Sequence, residues 1–285
     1  MKPAFYALAA LVALSACQRN QETETQDRAE APAATPHTDP QVTEAEQAAP
    51  LTYSRDTAYA EVELTLPEAV VAYPDLHATL YREEVQAMRN FVEGAQSVHT
   101  EYGGEQMAPY SQSVTYEAAG QSARLFSLRE STAEYTGGAH GMQSFGAVLW
   151  DKTGDRRIQP TALFRRGADL TALDQALCDA VNAARSQAVG EPSTLTLGES
   201  DQWACPRALA TPFVLAPSTT DGRAGGLEFL IGPYQVGPYA EGTYQIVVPQ
   251  SAFRSLIDPA WAAEFAGQPR RSGDVTPREP VTQAR

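Results

Sequence analysis

The residues of this chain with the means to do chemistry are concentrated in two short runs. His140 lies in Tyr135-Thr136-Gly137-Gly138-Ala139-His140-Gly141-Met142, with Glu134 and Asp151 nearby in sequence. An imidazole beside a carboxylate is the minimum for proton transfer. The second run, Gly232-Pro233-Tyr234-Gln235-Val236-Gly237-Pro238-Tyr239, repeats Gly-Pro-Tyr and continues into Ala240-Glu241-Gly242. Tyrosines enrich binding surfaces, and in β-rich folds they also close corners. There is no His-Glu-x-x-His, no Gly-x-Ser-x-Gly and no glycine-rich phosphate loop with a lysine. His140 is therefore expected to bond a backbone group and hold its turn. Proton transfer with a nearby carboxylate is the alternative.

No metal or cofactor is expected. His77 and His99 fall at opposite ends of one helical pattern, roughly 30 Å apart at 1.5 Å per residue, too far to share an ion. Cys178 and Cys205 lack the paired histidines of a zinc site.

These residues need elements to place them. Gly137, Gly138 and Gly141 make the turn a specified one, because a backbone so rich in glycine uses conformations that a Cβ forbids. Strands are predicted on either side, over Ala123–Glu134 and Phe145–Asp151. Tyr59–Leu66 alternates, with Val62, Leu64 and Leu66 on one side and Glu61, Glu63 and Thr65 on the other, as in a strand covered on a single face. After Pro74 a helical pattern runs to about Val98, with Tyr81, Val85, Met88, Val92 and Ala95 in one stripe. Ser113–Glu117 and Ala123–Glu130 read as a hairpin around Ala119-Gly120-Gln121, with Arg124, Arg129 and Glu130 facing solvent. Asp169 is placed to cap a second helix carrying Leu173, Leu177, Val181 and Ala184, which Gly190 stops. Three further strands are read at 213–215, 227–231 and 244–248. The expected fold class is α+β, an antiparallel sheet packed by two principal helices.

Composition bounds the setting. A net charge of −14 over 285 residues offers no basic stripe for nucleic acid, whereas a cationic partner is compatible with it. Lys2, the apolar run Ala4–Leu14 and Leu14-Ser15-Ala16-Cys17 resemble a bacterial lipoprotein signal, in which the cysteine is lipidated. Gln18, where inner-membrane lipoproteins commonly carry Asp, implies an anchor in the outer membrane, facing the periplasm. Residues 18–50 lack aromatic side chains and are read as a disordered acidic tether with a reach of roughly 30 Å. In an exported chain the two remaining cysteines, Cys178 and Cys205, are expected to form a disulfide contributing about 3–4 kcal/mol. The organisation expected is a signal over 1–17, the tether over 18–50, a small αβ subdomain over 51–110, an αβ domain over 111–258 and a disordered tail over 259–285.

The ordered motifs also resemble a known family. Tyr135 to Gly141, the Asp151-Lys152-Thr153-Gly154 turn, Pro160 to Gly167, Leu227-Glu228-Phe229, and Pro233-Tyr234 with Pro238 to Gly242 are similar to an RsiV/PdaC-like domain of unknown function. It is the extracytoplasmic domain shared by the anti-sigma factor RsiV, a lysozyme sensor, and the non-catalytic part of the peptidoglycan deacetylase PdaC. The resemblance covers about residues 55 to 256, and 59 to 98 are similar to the smaller domain that precedes it in both. The lipobox departs from the RsiV amino end, and only a short tail stands where PdaC has its deacetylase domain. The resemblance thus implies a non-enzymatic envelope binding module with lysozyme or peptidoglycan as ligand, and Tyr135, Gly137, Gly138, His140, Tyr234 and Tyr239 as candidate binding residues. The alternative is a cell-wall glycan hydrolase using His140 with a nearby carboxylate.

Overall fold

A computed structural model describes residues 49–102, 108–198, 200 and 202–278. Cys17, the expected lipidation site, His37, nearly all of the expected tether and residues 279–285 lie outside the described residues. Among the described residues no helix is long and apolar enough to cross a membrane.

Two sheets and two helices make an α+β fold. The first sheet has six strands in the order of the chain: β1 (Thr52–Asp56), β2 (Ala60–Thr65), β3 (Tyr110–Gln121), β4 (Leu125–Tyr135), β5 (Met142–Asp151) and β6 (Arg156–Ile158). Neighbours are antiparallel except β2 and β3, which run parallel because α1 (Pro74–Glu101) crosses between them. The sheet therefore runs straight through the boundary expected at residues 110 and 111. The second sheet is antiparallel, in the order β10 (Gly273–Asp274), β9 (Tyr244–Pro249), β8 (Ala224–Ile231), β7 (Phe213–Pro217). It is covered by α2 (Thr171–Val189), which Gly190 ends in the left-handed conformation.

Alternation along β4 and β5 explains how the layers join. Phe126, Leu128, Val148 and Trp150 pack with Leu76, Leu80, Val85, Met88 and Val92 of α1. Their neighbours Leu125 and Leu149 face the other way, into the core formed by Leu173, Leu177 and Val181 of α2 with Phe213, Phe229 and Tyr244. The inner ends of both strands are thus covered on both faces, and the Ser127 hydroxyl bridges them to the second sheet by donating to Gly120 C=O (2.7 Å) and accepting from Leu215 N–H (3.1 Å). Gly120 accordingly lies within β3, and the chain reverses at Ser122–Arg124 instead of at Ala119–Gln121. Cys178 and Cys205 are joined by a disulfide with their Cα atoms 5.1 Å apart.

The solvent positions read for Arg124, Arg129 and Glu130 are corrected by the structure. Arg124 makes a fork to the fully buried Asp151 (2.7 and 2.6 Å), holding that carboxyl below its ordinary range, and stacks on Trp261. Arg129 pairs with Glu117 and Glu228. Glu130 reaches the seam under α1, where the Tyr116 hydroxyl lies 2.9 Å from its Oε2 and 2.7 Å from Glu84 Oε1. The disordered tail expected from 259 onward is also corrected over 259–278. Trp261 and Phe265 are buried, Glu264 accepts from Ser122 Oγ and Arg124 N–H, and β10 adds to β9. Its arginines are consumed in place, Arg270 donating to Ser218 C=O and Arg271 to Val275 C=O.

Candidate functional site

The outer ends of β4 and β5 project past the second core and carry the turn at residues 136–141. Gly137 and Gly138 have φ of 97° and 93°, the left-handed region that the glycine pair was expected to supply. The turn presents His140 to solvent. Its Nδ1 lies 2.9 Å from Gly141 C=O, and since a carbonyl only accepts, Nδ1 carries the proton. Nε2 stands 3.5 Å from the Tyr234 hydroxyl. Tyr135 donates to Gly138 C=O across the turn (3.2 Å).

The second half of the site comes from the loop between β8 and β9. Val236 is buried and roots the loop in the core, while Gln235 accepts from Gly232 N–H at 3.0 Å. Tyr234 and Tyr239 flank that root. Tyr234 has φ of 64°, a conformation rare for a bulky residue, and the residue is left 45% exposed. Tyr239 donates to Gly141 C=O at 2.9 Å, and its ring stacks on His140 with centroids 3.8 Å apart at 21°. Tyr234 lies 5.6 Å from Tyr239 and 6.3 Å from His140, centroid to centroid. Turn and loop, about a hundred residues apart in sequence, therefore converge on one group of three rings.

Of the three rings Tyr239 lines an open groove of about 830 Å³, with Tyr135, Gly141 and Met142 beside it. Because Val62 and Val114 face α1, Glu61, Glu63, Ser111 and Ser113 face the groove, and the strand register places Asp56 opposite Glu61, Tyr135 opposite Ser111 and Gln143 opposite Ala133. Asp56, Glu61 and Glu63 form no ion pair among the described residues, although like charges directly across a ladder repel. Glu134 also lines the groove and accepts from Gln112, another lining residue, at 2.9 Å. Sequence reading missed these floor carboxylates as part of the site. Their signal was the Glu61-Val62-Glu63 alternation, which on its own only marks a solvent face.

For chemistry, the arrangement offers flat aromatic surface and unpaired negative charge. No carboxylate hydrogen-bonds His140 among the described residues, and no group of three His, Cys, Asp or Glu is placed to hold a metal there. His77 is buried, with Nε2 3.0 Å from Pro50 C=O, and the His99 ring lies beside Tyr59. Behind the loop, Arg185 of α2 forks onto Glu241 (2.8 and 2.7 Å), holding that carboxyl below its ordinary range, and Tyr244 donates to the same carboxylate at 3.1 Å. Burial and Glu241 push the Tyr244 hydroxyl up to about 12.

Comparison with known proteins bears on the first half of the fold. No curated protein matches the chain. Solved structures that are similar at low identity include two DUF3298 family proteins. One is a DUF3298 family protein from Pseudomonas aeruginosa PAO1, 15% identical, with a TM-score of 0.47, covering 76% of this chain and 94% of its own. The other is a DUF3298 family member from Bacteroides fragilis NCTC 9343, 17% identical, with a TM-score of 0.46, covering 75% of this chain and 96% of its own. Residues 53–143, from β1 to the start of β5 and including the glycine turn, match the family model of the deacetylase PdaC, so the chain carries a PdaC-like segment.

Proposed function

We propose that this protein is a non-enzymatic binding module of the cell envelope, anchored through lipid on Cys17 to the outer membrane on its periplasmic side, with lysozyme or peptidoglycan as its ligand. The observation that carries the reading is the packing of His140 and Tyr234 on Tyr239, the ring that lines the open groove floored by Asp56, Glu61 and Glu63. Exposed ring faces suit the apolar faces of sugars or a protein's side chains, and unpaired carboxylates suit a cationic partner. A strained, exposed tyrosine is a feature that folding alone does not require. The hydrolase alternative draws less support, because Gly141 C=O and the Tyr234 hydroxyl are what the imidazole nitrogens face.

Purified protein should retain lysozyme or insoluble peptidoglycan, and Tyr239→Ala or the pair Glu61→Lys and Glu63→Lys should weaken retention about tenfold or more, the equivalent of 1.4 kcal/mol. Absence of retention of both ligands at every salt concentration would remove the binding reading. Turnover of peptidoglycan that His140→Ala abolishes would install the hydrolase in its place.

A further inference from the structure

The ion pair behind the loop has no part in the contacts proposed for ligand, yet it packs directly against the loop backbone between its two tyrosines. Gly237 lies midway between Tyr234 and Tyr239, and a Cβ there would collide with the Glu241 carboxylate. That carboxylate is fixed from three directions: by Nε and Nη2 of Arg185 and by the hydroxyl of Tyr244. Arg185 is itself fixed, because its Nη1 donates to Ser193 Oγ at 2.8 Å. Ser193 belongs to the segment that follows α2, which Asn182 holds by accepting from Ser193 Oγ and Leu195 N–H and by donating to Leu195 C=O. The same segment is tied back to α2 by the Cys178–Cys205 disulfide. Both members of the pair are nearly buried, with side chains 13% and 12% exposed, so their charges are poorly screened by water.

We infer that Arg185 and Glu241 are positioning residues for the aromatic site: the pair clamps the backbone at Gly237, and the clamp sets the stack of Tyr239 on His140. The inference rests on the binding reading for its purpose, but not for its geometry. A planar guanidinium fork fixes both distance and angle of a carboxylate, which an ammonium does not. Arg185→Lys should therefore keep charge and fold and still loosen the stack, a distinction that a merely structural role would not produce.

The test is NMR on the whole chain with the His140 and tyrosine rings labelled. In the wild type, nuclear Overhauser contacts should link the His140 and Tyr239 rings, and stacking should move the His140 ring protons upfield. Glu241→Ala and Arg185→Lys should lose both signals, while the methyl groups of Leu64 and Leu128 in the α1 core stay unshifted, which certifies a folded protein. Glu241→Gln, which keeps the shape and an acceptor for Tyr244, should restore part of the ring contacts. Persistence of the full stack in Glu241→Ala, or in Arg185→Lys should the first variant not fold, overturns the clamp. Loss of the stack with lysozyme and peptidoglycan retention unchanged would leave the clamp standing and remove the rings from the binding site instead.

Discussion

Two clusters in this molecule are built on a glutamate that meets a buried or half-buried tyrosine hydroxyl, and the third residue of each gives them opposite electrostatics. At the loop behind the aromatic site, Glu241 meets Tyr244 and the third member is Arg185. At the seam between α1 and the first sheet, Glu84 meets Tyr116 and the third member is Glu130. With the guanidinium present, Glu241 is held below the ordinary carboxylate range. At Glu84, with no guanidinium bonded to it among the described residues, burial pushes the carboxyl up, and Glu130 and Glu83 push in the same direction against the hydrogen bond from Tyr116 and the weaker pull of Arg157. Burial and the two carboxylates raise the Tyr116 hydroxyl as well, and its single proton can serve only one of them at a time. The loop is thus locked by complementary charge, whereas the seam tolerates an unresolved repulsion.

Removing the lock should give the largest effect. Arg185→Ala leaves a nearly buried carboxylate unpaired and should cost about 3–5 kcal/mol in urea unfolding at neutral pH. Glu241 has a depressed folded-state pKa, so its contribution is present above the unfolded value and lost as pH falls through the folded one. The cost of Arg185→Ala should therefore shrink in acid, and a cost independent of pH would break the comparison.

The seam should respond with the opposite sign and a smaller size. Glu84 has a raised folded-state pKa, so its contribution is complete below the unfolded value and lost as pH rises through the folded one. Glu84→Gln should raise stability near pH 7 by a few tenths to about 1 kcal/mol, kept small by solvent screening, and the gain should disappear below the unfolded carboxylate range. Thermal melts at several pH values check both signs, and a destabilised Glu84→Gln at neutral pH would show the seam to be held by the ionised carboxylate.

What could be read beforehand follows the same division between local and distant causes. The glycine turn, the stop at Gly190 and the stripes of both helices were legible because backbone freedom and helical spacing act within a few residues. The meeting of His140 with Tyr234 and Tyr239 was not, since it depends on two sheets joining through Ser127. Nor were the roles of Arg124 and Arg129, because an arginine's sequence neighbours do not reveal that Asp151 or Glu228 will come within its reach. Thr52–Asp56 is too short and polar to announce a strand, and with β1 unseen the groove floor could not be assembled. The stretch 259–278 was misjudged on its arginine and proline content, when two aromatic side chains, Trp261 and Phe265, decide that it packs.

Residue-resolved NMR titration of the whole protein with lysozyme, and separately with soluble peptidoglycan fragments, tests the central claim most directly. The account predicts that at least one of them shifts His140, Tyr234, Tyr239 and the backbone of Glu61 and Glu63 together, leaving the exposed face of α1 at Arg89 and Glu93 unmoved. Saturable shifts confined to residues outside the groove, with the three rings unchanged, would contradict it.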